Sequence, residues 1–379
     1  MCPRFRLIVE YKNYSLKAVC FRILSVFLGI GLALISLEII LRFLPVRTEP
    51  RVIGLDDIYP VSNFESNRTG IWSKGWNFVM VNKVHTNNYG FINDQDYNPG
   101  AKGPLLAIIG DSYVQALYIP YSKSLQGLLE GFSEYLRVYS FGISGAALPR
   151  YLIYAEYAKE IFRPEGLVVV IYRNDYLESW YKYKGQPEYY FFESSDSKEL
   201  VLRRINAERH WYDELLYHSR FYSYLEDNVE IFQTIHELTS YDKSFIYEIN
   251  ITPPKEALAD SKRAVDQFLK ELPIRAGLSI SRILFVVDSI REAIYYPGMF
   301  PNADNSYVSV MNEYFIAQAT ELGYEVIDMH GIFKEHYRRN KRRFDFVHDS
   351  HWNGLAHRIV ADAVMKSRLF ESVTKPFRQ

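Results

Sequence analysis

Leu105-Leu-Ala-Ile-Ile-Gly110-Asp111-Ser112 constrains the fold of this chain more than any other stretch. An unbroken apolar run of this length suits a strand buried on both faces, as in a parallel sheet covered by helices. Gly110 lets the backbone turn sharply where the run ends. A serine just past such a turn carries its hydroxyl at the carboxyl edge of the sheet, where open α/β folds bind their ligands. Ser112 is therefore expected to be a nucleophile, with the rest of the extramembrane chain supplying its partners and a substrate groove.

Four more short apolar runs repeat the pattern, at Arg137 to Phe141, Leu167 to Tyr172, Arg282 to Val287 and Tyr324 to Ile327. Helical spacing lies between them, at Ser122 to Leu136, Leu148 to Ile161, Pro254 to Leu272 and Val308 to Leu322, and a last helix is expected from Asn353 to Phe370. The alternation predicts an α/β fold, a flavodoxin-like three-layer sandwich whose five-stranded parallel sheet fits the order 2-1-3-4-5. Strands three and four are separated by far more chain than one crossover helix needs. Residues 176–281 are thus expected to form a long helical insertion over the carboxyl edge, with helices from Ala207 to Leu238. The insertion opens with Trp180, Tyr181, Tyr183, Tyr189, Tyr190, Phe191 and Phe192, rings suited equally to packing and to sugar stacking.

From Ile23 to Leu41 the chain is apolar except for Ser25, Ser36 and Glu38. About 19 residues make roughly 28 Å of helix, close to the hydrocarbon thickness of a bilayer. Arg4, Arg6, Lys12, Lys17 and Arg22 precede the segment, and Arg42, Arg47 and Arg51 follow it. This bias favours a cytoplasmic N-terminus and an extracytoplasmic remainder. With no small-residue cleavage site closing it, the segment reads as an uncleaved signal anchor. The expected organisation is a cytoplasmic N-terminus at 1–22, a transmembrane anchor at 23–44, an extracytoplasmic arm at 45–103 and an α/β domain at 104–372. The arm is expected to be mostly irregular, with a short strand pair near Trp76 to Val81 and a fixed turn at Asn88-Tyr89-Gly90-Phe91 docking on the domain.

The net charge of −1 gives no basic excess, so nucleic acid is not an expected partner. Cys2 and Cys20 are the only cysteines, which leaves the domain without disulfides or a thiolate metal site. There is no His-Glu-x-x-His, no Asp-rich calcium loop and no phosphate-cradling glycine loop, so neither metal nor cofactor is expected.

Four short patterns fall at strand ends: Gly110-Asp111-Ser112, Ser140-Phe-Gly142-Ile-Ser-Gly145, Arg173-Asn174-Asp175, and Asp349-Ser350-His351-Trp352-Asn353. In this order they resemble the SGNH/GDSL hydrolase superfamily over roughly residues 103–370. The resemblance implies that Ser112 is the nucleophile, His351 the general base and Asp349 its orienting acid. It further implies an oxyanion hole from the Ser112 and Gly145 N–H groups and the Asn174 amide. Chemistry asks for the same types, since a serine hydroxyl needs a histidine within reach and the histidine needs a carboxylate to hold its tautomer.

Asp345 and His348 also fit the family's acid–base spacing and stand as the alternative pair; Trp352 and Asn353 directly after His351 favour Asp349 and His351. The third pattern lacks the family's usual leading glycine. Asp111 is expected to be a turn residue and His357 a structural one. Anchor, arm and Asp-x-His-Trp-Asn ending resemble the membrane-anchored branch of the superfamily, which includes enzymes of envelope polysaccharide O-acylation. The implied function is an esterase or O-acyltransferase acting on acyl, chiefly acetyl, esters of envelope glycans. A non-catalytic binding partner in an envelope polysaccharide assembly is the alternative.

Overall fold

The computed structural model describes residues 16–53, 61–132, 135–184, 189–195, 199–206, 210–231 and 254–375. Its centre is a parallel sheet of β3 (Leu105–Gly110), β4 (Arg137–Gly142), β5 (Gly166–Ile171), β8 (Ile283–Val287) and β9 (Glu325–Asp328). Hydrogen-bonded neighbours run β4-β3-β5-β8-β9, the 2-1-3-4-5 order expected of these runs. Every residue of β3, β5 and β8 is buried, because side chains alternate between two covered faces.

Leu105, Ala107 and Ile109 meet one layer, built from α3 (Leu148–Ile161), α6 (Lys255–Ala276) and α7 (Tyr307–Glu321). Leu106 and Ile108 meet the other, from α2 (Leu125–Glu130), α8 (Met329–Asn340), α9 (Gly354–Val364) and α10 (Arg368–Thr374). The carboxyl ends of β3, β4 and β5 therefore share one rim.

Helix boundaries differ from expectation where a hydroxyl caps the chain. The helix expected over Ser122 to Leu136 is confined to α2, since Ser124 Oγ accepts from the Gly127 N–H. The last helix is two, because Met365 to Ser367 breaks it and Ser367 accepts from the Phe370 N–H to start α10.

The insertion is not wholly helical. It opens with an antiparallel hairpin of β6 (Tyr189–Ser194) and β7 (Leu200–Ile205), as aromatic and β-branched residues favour. Trp180, Phe191 and Phe192 are buried, so packing accounts for those rings. Helices α4 (Trp211–His218) and α5 (Arg220–Ser223) and a π-type turn at Tyr224–Asn228 follow. The remainder of the helical stretch expected to Leu238 lies outside the described residues.

The arm is more regular than expected. Its hairpin pairs β1 (Thr69–Lys74) with β2 (Met80–His85), so Trp76 lies in the connecting turn and is exposed. The Asn88 to Phe91 turn is tied by Asn87 Oδ1, which accepts from the Tyr89 and Phe91 N–H groups. Phe91 docks edge-on against Phe141 in the core. The apolar segment forms α1 (Leu16–Leu41), beginning seven residues before Ile23. It is long and apolar enough to cross a membrane, with mean hydropathy 2.5 and none of its most apolar window buried.

Candidate active site

At the end of β3 the chain enters a single helical turn, Ser112–Gln115. Asp111 Oδ1 accepts from the Tyr113 N–H at 2.9 Å, which is the turn role expected of it. Burial pushes the Asp111 carboxyl up to about 6, opposed by the Tyr113 N–H and His351. Gly142 at the end of β4 lies under this turn; a Cβ there would stand 2.5 Å from the Gln115 nitrogen. The close approach lets Gln115 Oε1 accept from the Ser144 N–H and Oγ, at 3.2 and 2.6 Å.

The structure brings Ser112, His351 and Asp349 into one hydrogen-bonded line. Ser112 Oγ lies 2.8 Å from His351 Nε2, and His351 Nδ1 lies 2.5 Å from Asp349 Oδ1. Asp349 also accepts from the His351 N–H. Burial alone would raise the Asp349 carboxyl; the His351 ring bond, with Lys74 nearby, outweighs it and holds the group well below the usual carboxylate range.

The loop carrying His351 is pinned on both flanks. Tyr113 Oη donates to the Ser350 carbonyl, and Trp352 Nε1 donates to Asp288 Oδ1 at 2.9 Å. Buried Arg291 in turn donates to Tyr113 Oη at 2.6 Å and pairs with Asp288. Asn353 Oδ1 caps α9 by accepting from the Leu355 and Ala356 N–H groups, while its Nδ2 donates to the Arg343 and Asp345 carbonyls. Trp352 and Asn353 thus set the geometry of the residue before them. The Tyr118 ring stacks on the imidazole, centroids 4.4 Å apart.

The alternative pair is arranged differently. Asp345 is buried against Arg343 at 2.8 Å, whereas His348 is exposed. His357 Nδ1 accepts from the Leu125 N–H at the start of α2, the structural place expected of it, and burial pushes it down to about 3.

Gly145 follows Ser144 with φ 74°, a left-handed backbone suited to glycine, and its carbonyl accepts from Lys184 Nζ at 2.5 Å. Among the described residues its N–H donates to no acceptor. Asn174 lies in the turn that follows β5; its Oδ1 is buried without a hydrogen-bond partner. It shares the rim, since Asp175 beside it is buried and feels the charge of Asp111.

Gln115, Lys74, Asp227 and Glu230, all around the serine, were not singled out from the sequence. A cavity of about 170 Å³ joins Ser112, His351 and Asp349 to Gln115 and Ser144, to Trp72 and Lys74 of the arm, and to Asp227 and Glu230 of the insertion. Gln115 carried a usable signal, standing one helical turn after Ser112. Lys74 carried none, because its contact with Asp349 spans 275 residues.

No family model matches the sequence, and no curated protein matches it. Among solved structures, it is similar to a lipolytic protein of the G-D-S-L family from Veillonella parvula DSM 2008, at 11% identity and TM-score 0.38, over 70% of this chain and 98% of that one. A lipase/acylhydrolase from Enterococcus faecalis matches at 8% identity and TM-score 0.38, over 72% and 96%. An acetylxylan esterase from Geobacillus stearothermophilus, solved as a catalytic mutant, matches at 16% and 0.38, over 71% and 95%. In its own sheet order, and in the rim on which its short patterns meet, this chain has the layout that the SGNH/GDSL resemblance implies.

Proposed function

We propose that this chain is a membrane-anchored serine esterase or O-acyltransferase of the SGNH/GDSL type, acting on acetyl or similarly short acyl esters of envelope glycans. The unbroken line from Asp349 through His351 to Ser112 carries the reading. As Ser112 Oγ attacks the ester carbonyl, His351 Nε2 takes its proton, and Asp349 holds the resulting imidazolium. The tetrahedral oxyanion is received by N–H donors from Ser112, Gly145 and Asn174, each worth about 3 kcal/mol of transition-state stabilisation. The leaving alkoxide departs with the proton from His351, and Ser112 is left acylated. A second hydroxyl, of water or of a sugar, then gives its proton to His351 and takes the acyl group, and His351 returns that proton to Ser112 Oγ as the acyl–serine bond breaks. The small cavity supports an acetyl-sized group, and α1 supports a site held at a membrane surface.

The test is incubation of the full chain with an acyl-ester reporter, with and without an oligosaccharide acceptor. Release of free acid alone identifies an esterase, and acylated sugar identifies a transferase. Absence of turnover together with absence of fluorophosphonate adduct at Ser112 in folded protein overturns both and favours a binding role.

A further inference from the structure

The carboxylate that orients His351 is gripped from two sides. Asp349 Oδ1 faces the imidazole, while Oδ2 faces Lys74 Nζ at 3.1 Å. Lys74 Nζ also meets Glu230 Oε1 at 3.0 Å. Lys74 ends β1 in the arm, and Glu230 follows the π-type turn of the insertion, so the site is closed by two segments outside the parallel sheet and its helical layers. They are stitched together: Asn228 Nδ2 donates to Ser73 Oγ, and Tyr224 Oη donates to the Trp76 carbonyl. Glu230 itself has φ 56°, a backbone that side chains disfavour and that surrounding structure must impose.

We propose that Lys74 is a positioning residue for the acid–base pair. It fixes the Asp349 carboxylate against His351 and, balanced by Glu230, sets how readily the imidazole keeps a proton. The inference rests on the serine-esterase reading above. An exposed ion pair would do little. Here the Asp349 side chain is only 5% exposed, and charges act strongly where water is excluded. The lysine cation draws on the same carboxylate that stabilises the imidazolium, so it disfavours the protonated ring; Glu230 opposes it. The other titratable or charged groups around the pair are Arg47 beside α1, Asp227 of the insertion, Asp111 of the nucleophile turn, Tyr118 stacked on the ring, Arg291 held on Tyr113, and His357, which burial keeps neutral.

The experiment follows the rate of fluorophosphonate labelling of Ser112 against pH, in the full chain solubilised in detergent. Lys74→Met is expected to slow labelling about tenfold and to move the acid limb up by about half to one pH unit, since the imidazole then keeps its proton longer. Lys74→Arg keeps the charge and is expected to leave the limb in place. Glu230→Gln unbalances Lys74 and is expected to move the limb the opposite way, to lower pH. If Lys74→Met does not fold, the downward shift in Glu230→Gln reads the same coupling. Loss of amplitude without a shift, or shifts of one sign in both variants, overturns the inference while wild-type labelling leaves the serine reading intact. No wild-type label at Ser112 overturns that reading and this one with it.

Discussion

His348 and His351 stand three residues apart in surroundings that give them different tasks. His351 has its two ring nitrogens committed, one to Ser112 and one to Asp349. His348 sits exposed on the loop. His351→Ala is expected to lower kcat/KM by roughly 10⁴-fold or more, and His348→Ala to leave it within about threefold. Steady-state kinetics on an acyl-ester reporter decide, and equal losses would mean the base is misassigned. Ser112→Ala is expected to abolish turnover while shifting the melting temperature little, because a strand-end hydroxyl contributes little packing; full activity in that variant sinks the mechanism.

His357 gives a stability prediction whose sign follows from its burial. Unfolded, it takes a proton near 6.5; folded, it resists until about 3. Stability is therefore lost as pH falls from 6.5 toward 3, by up to about 1.4 kcal/mol per pH unit from this group. His357→Gln, which can still accept from the Leu125 N–H, is expected to lose stability less steeply between pH 6.5 and 5, read by denaturant melts; identical slopes would refute this. These residues were legible because their signals are local: Asp-x-His-Trp-Asn spells an anchor and a cap beside the base. Lys74 was not, since nothing distinguishes it from the chain's other cations until the arm folds back.

At the scale of elements, the nucleophile turn rests on the end of its neighbouring strand. Gly142 is required there because a side chain would press on the Gln115 backbone rather than on a side chain free to move. Gly142→Ala is expected to cost about 1–3 kcal/mol of stability and, by lifting the turn from the rim, to reduce kcat more than KM. Thermal melts and kinetics measured together check it, and unchanged values in both would show the approach to be slack. The strands of the sheet were legible from their apolar runs, which need only local sequence. The arm hairpin was misplaced because Trp76 and Val79 look like strand residues, yet Gly75, with φ 88°, turns the chain there. The hairpin at the start of the insertion was missed because tyrosine and phenylalanine fit either state until a partner strand is present.

Over the whole molecule, α1 is joined to the insertion rather than hanging free. Glu38 accepts from Ser219 Oγ and from the Arg220 and Phe221 N–H groups, so the foot of the apolar helix meets the start of α5. A second cavity, of about 950 Å³, opens there among paired arginines and acids, and it shares Arg47 and Asp227 with the serine cavity. If α1 spans a bilayer, the serine therefore faces the side onto which Arg42 emerges. The cysteine content makes that orientation measurable. Cys2 precedes α1 and Cys20 lies in its second turn, so replacing both with serine leaves a chain in which one new thiol reports alone. Glu321, exposed at the end of α7, is a suitable place. In intact cells, Glu321→Cys in that background is expected to react with a membrane-impermeant maleimide, whereas Cys2 restored alone is expected to react only after the cells are opened. The reverse pattern would put the serine in the cytoplasm. Glycans of the envelope could then not be its substrate, even with Ser112, His351 and Asp349 fully competent.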